Sequence, residues 1–300
     1  MNLGYACINI TLADKGITTN RGMIKKTFLE KGIQYASQLA LSNVKALLEI
    51  LKWNVQHGIR VFRITSELFP WASEYRLQDL PDFRPIRTTL ERAGKLPVRV
   101  SLHPGPFNKL AGSGAVLENT IKDMEIHSQI LDLMNLEPSH WNKINIHVGG
   151  AYGDKAETLR AFARNFKLLS SNLQKRLTVE NDDKPGLYTV ADLVPLHETT
   201  GVPVVFDYFH HRLHPGNLSE AEAFHLAYNT WDVRPVFHYS SSRKEREDPA
   251  AKKEAHSDWV YENINTYGKE VDLMLETKMK ELSVLKYREV YEEKKQAGVL

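Results

Sequence analysis

The stretch Val202-Pro-Val-Val-Phe-Asp-Tyr-Phe-His-His211 decides the fold. A short apolar run that stops on a carboxylate has the pattern of a strand buried on both faces, delivering Asp207 to the rim of a parallel sheet. His210 follows three residues later, within reach of any ion that Asp207 holds. An aspartate there also suits the cap of a following helix. The stretch therefore takes its meaning from its counterparts elsewhere in the chain.

Those counterparts recur. Strand-like runs begin near residues 2, 60, 97, 143, 176, 202, 234 and 270, and helical spacing of apolar residues falls between them, over about 35–57, 116–134, 154–171, 190–200, 218–228 and 258–267. Gly58 supplies the stop of the first of these helices. Eight strand-helix units without a glycine-rich dinucleotide fingerprint predict an α/β chain folded as a single TIM (β/α)8 barrel over residues 1–300. Beyond Glu276, the apolar face of Met279, Leu282 and Leu285 predicts that 277–300 form a C-terminal helix packed on the barrel exterior.

Composition bounds what such a barrel can do. A 300-residue chain with 42% hydrophobic residues and no Gly/Ser-rich or Pro-rich linker can bury one large core. The formal net charge of +2 is too small for a global field to hold a polyanion, so any such partner needs a local patch. The single cysteine, Cys7, excludes an intramolecular disulfide and a cysteine-based zinc site, leaving His, Asp and Glu as ligands. No apolar run approaches the ~18 residues of a bilayer span, and the N-terminus lacks a signal-peptide pattern. A cytoplasmic monomer with no membrane partner is expected.

In a parallel barrel all strand C-termini meet on one rim, however far apart they lie in sequence. The strand ends here are His103, His147, Glu180, Asp207, His238 and Glu276, six consecutive strands each offering a group able to bind a divalent cation. His, Asp and Glu together make up fewer than one residue in five, so this run is not a product of composition. Three carboxylates packed together are hard to keep ionised without cations between them, and imidazole with carboxylate is a ligand set that Zn²⁺ and Mn²⁺ accept. The groups exceed the four that one tetrahedral zinc takes, which predicts two or three ions at the C-terminal rim. His210 and His256 extend the set, and Glu180, central in strand order, is the bridging carboxylate. Such a site suits in-line displacement at phosphorus. Barrel sugar isomerases use similar sets, and the residues alone leave both readings open.

Several motifs then carry a resemblance. In order along the chain these are Gly4-Tyr5 with Asn9, Thr18-Thr-Asn-Arg21, Phe62-Arg-Ile64 with Phe69-Pro-Trp-Ala-Ser73, His103-Pro-Gly105, His147-Val-Gly-Gly-Ala-Tyr-Gly153, Val179-Glu-Asn-Asp182, Asp207-Tyr-Phe-His-His211, His238 and Glu276. With these the chain resembles the UV damage endonucleases, relatives of the endonuclease IV type of barrel nuclease. The resemblance implies an enzyme that nicks UV-damaged double-stranded DNA immediately 5′ to a photoproduct, leaving a 3′-hydroxyl and a 5′-phosphate. An abasic-site endonuclease is the nearest variant, and a sugar isomerase-like metalloenzyme the alternative from another class.

It also implies roles. His103, His147 and Glu180 would hold one ion, Asp207, His238 and Glu276 a second, and His210 with His256 a third, with Glu180, His238 and His256 as the catalytic residues. Mn²⁺ is the expected metal, Zn²⁺ or Mg²⁺ the substitutes. Damage would be read by base flipping, with Pro106 and Phe107 filling the gap in the duplex where the family has Gln-Tyr. Tyr5, Asn9 and Asn20 would contact the lesion or its backbone. Arg243 and Lys244, with Arg246, Lys252 and Lys253, form a basic loop suited to phosphate contact. Two positions depart from the resemblance: some relatives carry a lysine two residues before the seventh-strand histidine, where this chain has Val236, and Glu74 stands where the family has a histidine after Pro-x-Ala-Ser.

Overall fold

The computed structural model describes residues 1–293, and the last part of the 277–300 segment lies outside them. Eight strands form one sheet: β1 (Leu3–Ala6), β2 (Val61–Ile64), β3 (Arg99–Leu102), β4 (Ile144–Ile146), β5 (Leu177–Glu180), β6 (Val204–Val205), β7 (Val236–Tyr239) and β8 (Asp272–Leu275). Their order is β6-β5-β4-β3-β2-β1-β8-β7, every pair parallel. The remaining gap, between β6 and β7, is crossed by the isolated parallel bridge Asp207–His238, where His238 N–H donates to the Phe206 carbonyl at 3.0 Å. The sheet thereby approaches a closed cylinder, as the recurring strand-helix pattern predicts.

Strand alternation sorts the residues. Leu3, Tyr5, Phe62, Val100, Leu102, Val179, Phe237, Leu273 and Leu275 join the large apolar layer shared with the outer helices, while Ala6, Val61, Val236 and Met274 form a small cluster of their own. Val236 thus fills apolar space beneath the rim. Gly4 is dictated by close approach: a Cβ there would lie 2.3 Å from the Val61 carbonyl oxygen, across the β1–β2 pairing. Ala would have to push the two strands apart.

The helices follow the predicted order with differences at the ends. The first runs over Lys25–Gln56 rather than from about 35, broken locally at Gly32, whose φ of +62° lies outside helical space. The predicted helix at 258–267 does not form. That segment is irregular, because its side chains bond locally instead of supporting a helix: Asn265 accepts from Tyr267 N–H, and Tyr267 takes a φ of +51° just before Gly268. Of the C-terminal segment, Lys280–Tyr287 is helical, and Glu281 on it accepts from the backbone N–H groups of Ile10 and Thr11. Among the described residues, no helix is long and apolar enough to cross a membrane.

Gly4→Ala should lower stability by about 1–3 kcal/mol, the usual range for overpacking, as read from the midpoint and slope of a urea melt. An unchanged midpoint would mean that β1 and β2 separate freely at this point.

Candidate metal centre and rim cleft

The predicted strand-end residues converge at the C-terminal rim. Glu180 closes β5 with only 1% of its surface exposed. Its Oε2 lies 3.2 Å from His103 Nε2 and 3.8 Å from His147 Nε2, and its Oε1 lies 3.1 Å from His238 Nδ1 and 3.3 Å from His210 Nδ1. Four imidazoles from four different strand ends or loops thus face one carboxylate. On the other side of His238, Nδ1 is also 3.1 Å from Glu276 Oε1. Ligand atoms within 4.8 Å of one another form three groups: His103, His147 and Glu180; Glu180, Asp207 and His210; and Asp207, His238 and Glu276. Glu180 and Asp207 each belong to two groups, so the whole set is continuous.

Local structure aims each of these groups. His103 Nδ1 faces the Pro104 carbonyl at 3.1 Å and His147 Nδ1 faces Asp182 Oδ1 at 3.0 Å, which leaves Nε2 of both rings turned toward Glu180. Orientation of a ring by its second nitrogen is the usual support of a histidine ligand. Asp207 does cap the Tyr208–Leu213 helix, its Oδ1 accepting His210 N–H at 2.8 Å, while its buried Oδ2 has no hydrogen-bond partner among the described residues. Cap and candidate ligand are therefore two oxygens of one side chain. An orphaned buried carboxylate oxygen is rare in native proteins, and with the imidazole and carboxylate set it fits a divalent cation.

The electrostatics agree. Burial alone would raise Glu180, but His238, His147 and a hydrogen bond from His103 outweigh it and hold the carboxyl well below its usual range. For Glu276, burial is outweighed by the Arg63 guanidinium, which pairs with it directly, and by His238. Asp207 is raised by burial, against the pull of His210. Burial pushes His103 down to about 4, whereas at His210 the charges of Asp207, Glu180 and Glu276 overcome burial and lift it to about 9. His147 is also raised, Glu180 and Asp182 prevailing over burial.

Four supporting residues have no role assigned from the sequence, although Arg63 and Asp182 stand in the motifs quoted above, and alternation reaches three of the four. Two and four residues before His147 stand Asn145 and Lys143, on the same inward face. Asn145 donates to Glu180 Oε2 and receives the Thr178 hydroxyl on its own oxygen at 2.9 Å, which fixes the amide's orientation. Lys143, fully buried, places Nζ 3.0 Å from His238 Nε2, and burial brings it down to about 7. On β2, Arg63 shares the inward face with Val61. Asp182, by contrast, stands beyond the end of β5 and has no periodic signal.

The centre floors a cleft of about 630 Å³, whose walls include Lys109 and Lys184. Gly149, at φ +98°, turns the chain after His147 and lets the Lys109 stem pack where a Cβ would lie only 3.0 Å from it. Pro106 and Phe107 stand exposed beside the cleft, Phe107 by 87%. Asn20, Lys244 and Glu74 are exposed too, and Arg243 faces Asp258 at 3.5 Å. His256 lies outside the three ligand groups, its ring 6.5 Å from that of His210 and its buried Nδ1 unpartnered.

Tyr5 and Asn9 require a correction. Both are 0% exposed: Tyr5 points outward from β1 into the helix layer, donating to Asn54 at 2.6 Å, and Asn9 donates to the Tyr5 hydroxyl while capping the Ile10–Ala13 turn. Neither offers a surface for DNA. They brace the first rim loop from beneath.

The family described as UV-endonuclease UvdE matches residues 1–298. A UV-damage endonuclease of Schizosaccharomyces pombe is 33% identical over 97% of this chain, which spans half the length of that relative. A UV DNA damage endonuclease of Clostridium perfringens is 32% identical, over 95% of this chain and 69% of the relative. Among solved structures, SacUVDE superposes with a TM-score of 0.83 at 32% identity, covering both chains fully. Endonuclease IV from Thermus thermophilus shares the fold, with a TM-score of 0.57 at 14% identity over 98% of this chain and all of that one.

In metal-free protein, one histidine resonance should titrate near pH 9 and disappear in His210→Gln. The sign follows from the raised value: His210 contributes stability that is full below its unfolded value of 6.5 and is lost as pH rises through about 9. His103 acts oppositely, its contribution present above 6.5 and lost as pH falls toward about 4. Histidine NMR across pH 4–10 checks both, and a His210 line titrating near 6.5 would contradict the charge balance described above.

Proposed function

The chain belongs to the UV-endonuclease UvdE family, and from that premise we propose that it is a metal-dependent DNA repair endonuclease, cutting duplex DNA immediately 5′ to UV photoproducts. The observation that carries this reading is the continuous set of three ligand groups, joined through Glu180 and Asp207, at the floor of a cleft flanked by an exposed aromatic side chain.

His103, His147 and Glu180 would hold one cation and Asp207, His238 and Glu276 another, with His210 and His256 as the donors of a third; Mn²⁺ is the proposed metal. Bound cations would supply activation of water and neutralisation of charge at the scissile phosphate. The chain's own residues do the rest. Glu180 is kept ionised by its imidazole neighbours, so it remains a shared anion throughout. His238 presents Nδ1 to two carboxylates and Nε2 to Lys143, and for Nδ1 to act as a ligand, Nε2–H must donate to a neutral Lys143 amine. Burial makes that amine accessible near neutral pH. Lys109 and Lys184 on the cleft walls, and Arg243 and Lys244 on the loop after β7, supply positive charge for the DNA backbone.

In the bond change proposed, a water oxygen adds to phosphorus and the P–O3′ bond breaks. The departing oxygen takes up a proton, giving a 3′-hydroxyl and leaving the phosphate on the 5′ side of the damaged nucleotide. Glu180, His238 and His256 are the residues assigned to catalysis, through the cations they would hold. The lesion would be reached by flipping, since a linked dinucleotide stacks poorly and costs less to extrude. Phe107 would enter the gap as an aromatic wedge, while Pro106, without an amide side chain, cannot pair with the opposing bases. A sugar isomerase has no use for a wedge exposed beside its cleft.

The testing experiment incubates the metal-loaded protein with oligonucleotide duplexes carrying a pyrimidine dimer, an abasic site or no lesion. Cutting of the dimer duplex 5′ to the lesion, abolished by chelator and restored by Mn²⁺, is expected. Equal cutting of undamaged duplex, or full activity in chelator, overturns the reading, and cutting confined to the abasic duplex turns it toward an abasic-site nuclease. Phe107→Ala should weaken binding to dimer-containing duplex by about 5–150-fold, the loss of about 1–3 kcal/mol of base stacking, with circular dichroism unchanged. Undiminished affinity in a fluorescence anisotropy titration would refute the wedge.

A further inference from the structure

Two loops on the C-terminal rim are interlocked. The Lys109 stem, on the loop after β3, packs against Gly149 on the loop after β4. Together they build one wall of the metal cleft, Pro106, Asn108 and Lys109 from the first loop and Gly149 and Gly150 from the second. Phe107 rises from the first loop. On the second, two residues beyond the cleft wall, Tyr152 is 58% exposed, although nothing in the proposed cutting chemistry uses it.

An exposed tyrosine on a loop is ordinary, but this one is held against its backbone preference. Its φ of +43° lies in the left-handed region, which a residue with a Cβ enters only under constraint. Hydrogen bonds on both sides supply that constraint. The Ala151 carbonyl accepts the Asp154 N–H at 3.0 Å and the Thr158 hydroxyl at 2.7 Å, and Asp154 caps the Lys155–Phe166 helix by accepting Glu157 N–H at 3.1 Å. On the other side the Tyr188 hydroxyl reaches the Gly150 carbonyl at 3.5 Å, and the Tyr188 backbone is tied to Asp182, which orients His147. The Tyr152 ring itself lies over Gly150, where a Cβ would stand 3.7 Å from it. Beyond the ring opens a groove of about 420 Å³, walled by Gly112 and Val116 from the β3 side and Thr158 and Ala161 from the helix after β4. The ring is therefore fixed between the cleft wall and this groove with more than half of its residue's surface free. A loop serving only to connect β4 to its helix would carry glycine or asparagine at such a φ. Backbone strain of this kind is kept where a side chain meets a ligand.

Resting on the endonuclease reading above, we propose that Tyr152 is a second aromatic platform, stacking on a nucleobase that loses its neighbour when the duplex opens at the lesion. Extruding a linked dinucleotide frees bases on both strands. Phe107 covers one face of the gap, and Pro106 has no side-chain amide to engage the bases opposite. A tyrosine ring accepts any base by its face, without regard to sequence, which suits an enzyme that must act wherever a photoproduct forms. The stacked base belongs either to the lesion strand or to its complement, and the contact is chemically the same for both.

The test titrates metal-loaded protein, by fluorescence anisotropy, with a duplex carrying a pyrimidine dimer and a non-cleavable linkage 5′ to it, and with the undamaged duplex. Tyr152→Gly should bind the dimer duplex at least about fivefold more weakly than wild type and the undamaged duplex equally well. Tyr152→Phe, which keeps the ring, should retain wild-type affinity. Because glycine relieves the left-handed backbone, Tyr152→Gly should melt no lower than wild type. 2-Aminopurine placed beside the dimer, or in the opposite strand, identifies the stacked base as the one whose quenching on binding is lost in Tyr152→Gly. A preference for the dimer duplex that survives undiminished in Tyr152→Gly overturns this inference alone. Weaker binding of both duplexes with a lowered melting temperature also overturns it, marking the ring as structural. A wild type that does not distinguish the two duplexes overturns the endonuclease reading itself.

Discussion

The structure is organised around the charge of one carboxylate almost wholly withdrawn from water. Glu180 is 1% exposed, and an isolated anion so placed would take up a proton rather than stay charged. It stays charged because imidazoles from His103, His147, His210 and His238 surround it and the Asn145 amide donates to it. Those partners come from β4 and β7, the residues just after β3 and β4, and the helix after β6. Their common focus requires that the strands be parallel and of matching register, which is what the cylinder provides.

Beneath that focus the barrel interior is more polar than its wall. Thr178 holds Asn145, Asn145 holds Glu180, Lys143 supports His238, and Arg63 holds Glu276. Networks of this kind are stabilising only when every member is satisfied. Among the described residues the Oδ2 of Asp207, which lies in two of the three ligand groups, has no hydrogen-bond partner, and neither does Nδ1 of His147 or of His256. Apolar filling is confined to Ala6, Val61, Val236 and Met274, below the polar tier.

Much of this was legible in the sequence because one rule of topology does the work. Once Val202–Phe206 is read as a parallel strand, His103, His147, Glu180, Asp207, His238 and Glu276 must share a rim, without any knowledge of loop conformation. The supporting residues lay one inference deeper: Asn145 and Lys143 follow from alternation, but their hydrogen bonds depend on neighbours that no spacing reveals. Alternation also turns Tyr5 outward, against the role that resemblance suggested. The segment 258–267 misled because its apolar spacing is helical while Asn263, Asn265 and Gly268 favour local turns. Asp207 shows the limit from the other side, since capping and inward presentation are not alternatives.

The seam of the cylinder has a consequence for how the molecule lives and is cleared. β6 has two residues in the sheet, and what ties it to β7 is the Asp207–His238 bridge, whose two side chains belong to one ligand group. A cation gripping both would act as a rivet across the thinnest part of the wall. Loaded molecules would resist local opening there while unloaded ones breathe, so proteolytic surveillance would remove incompetent copies first. Quality control of the population would then be written into the same few atoms that equip each copy for its chemistry.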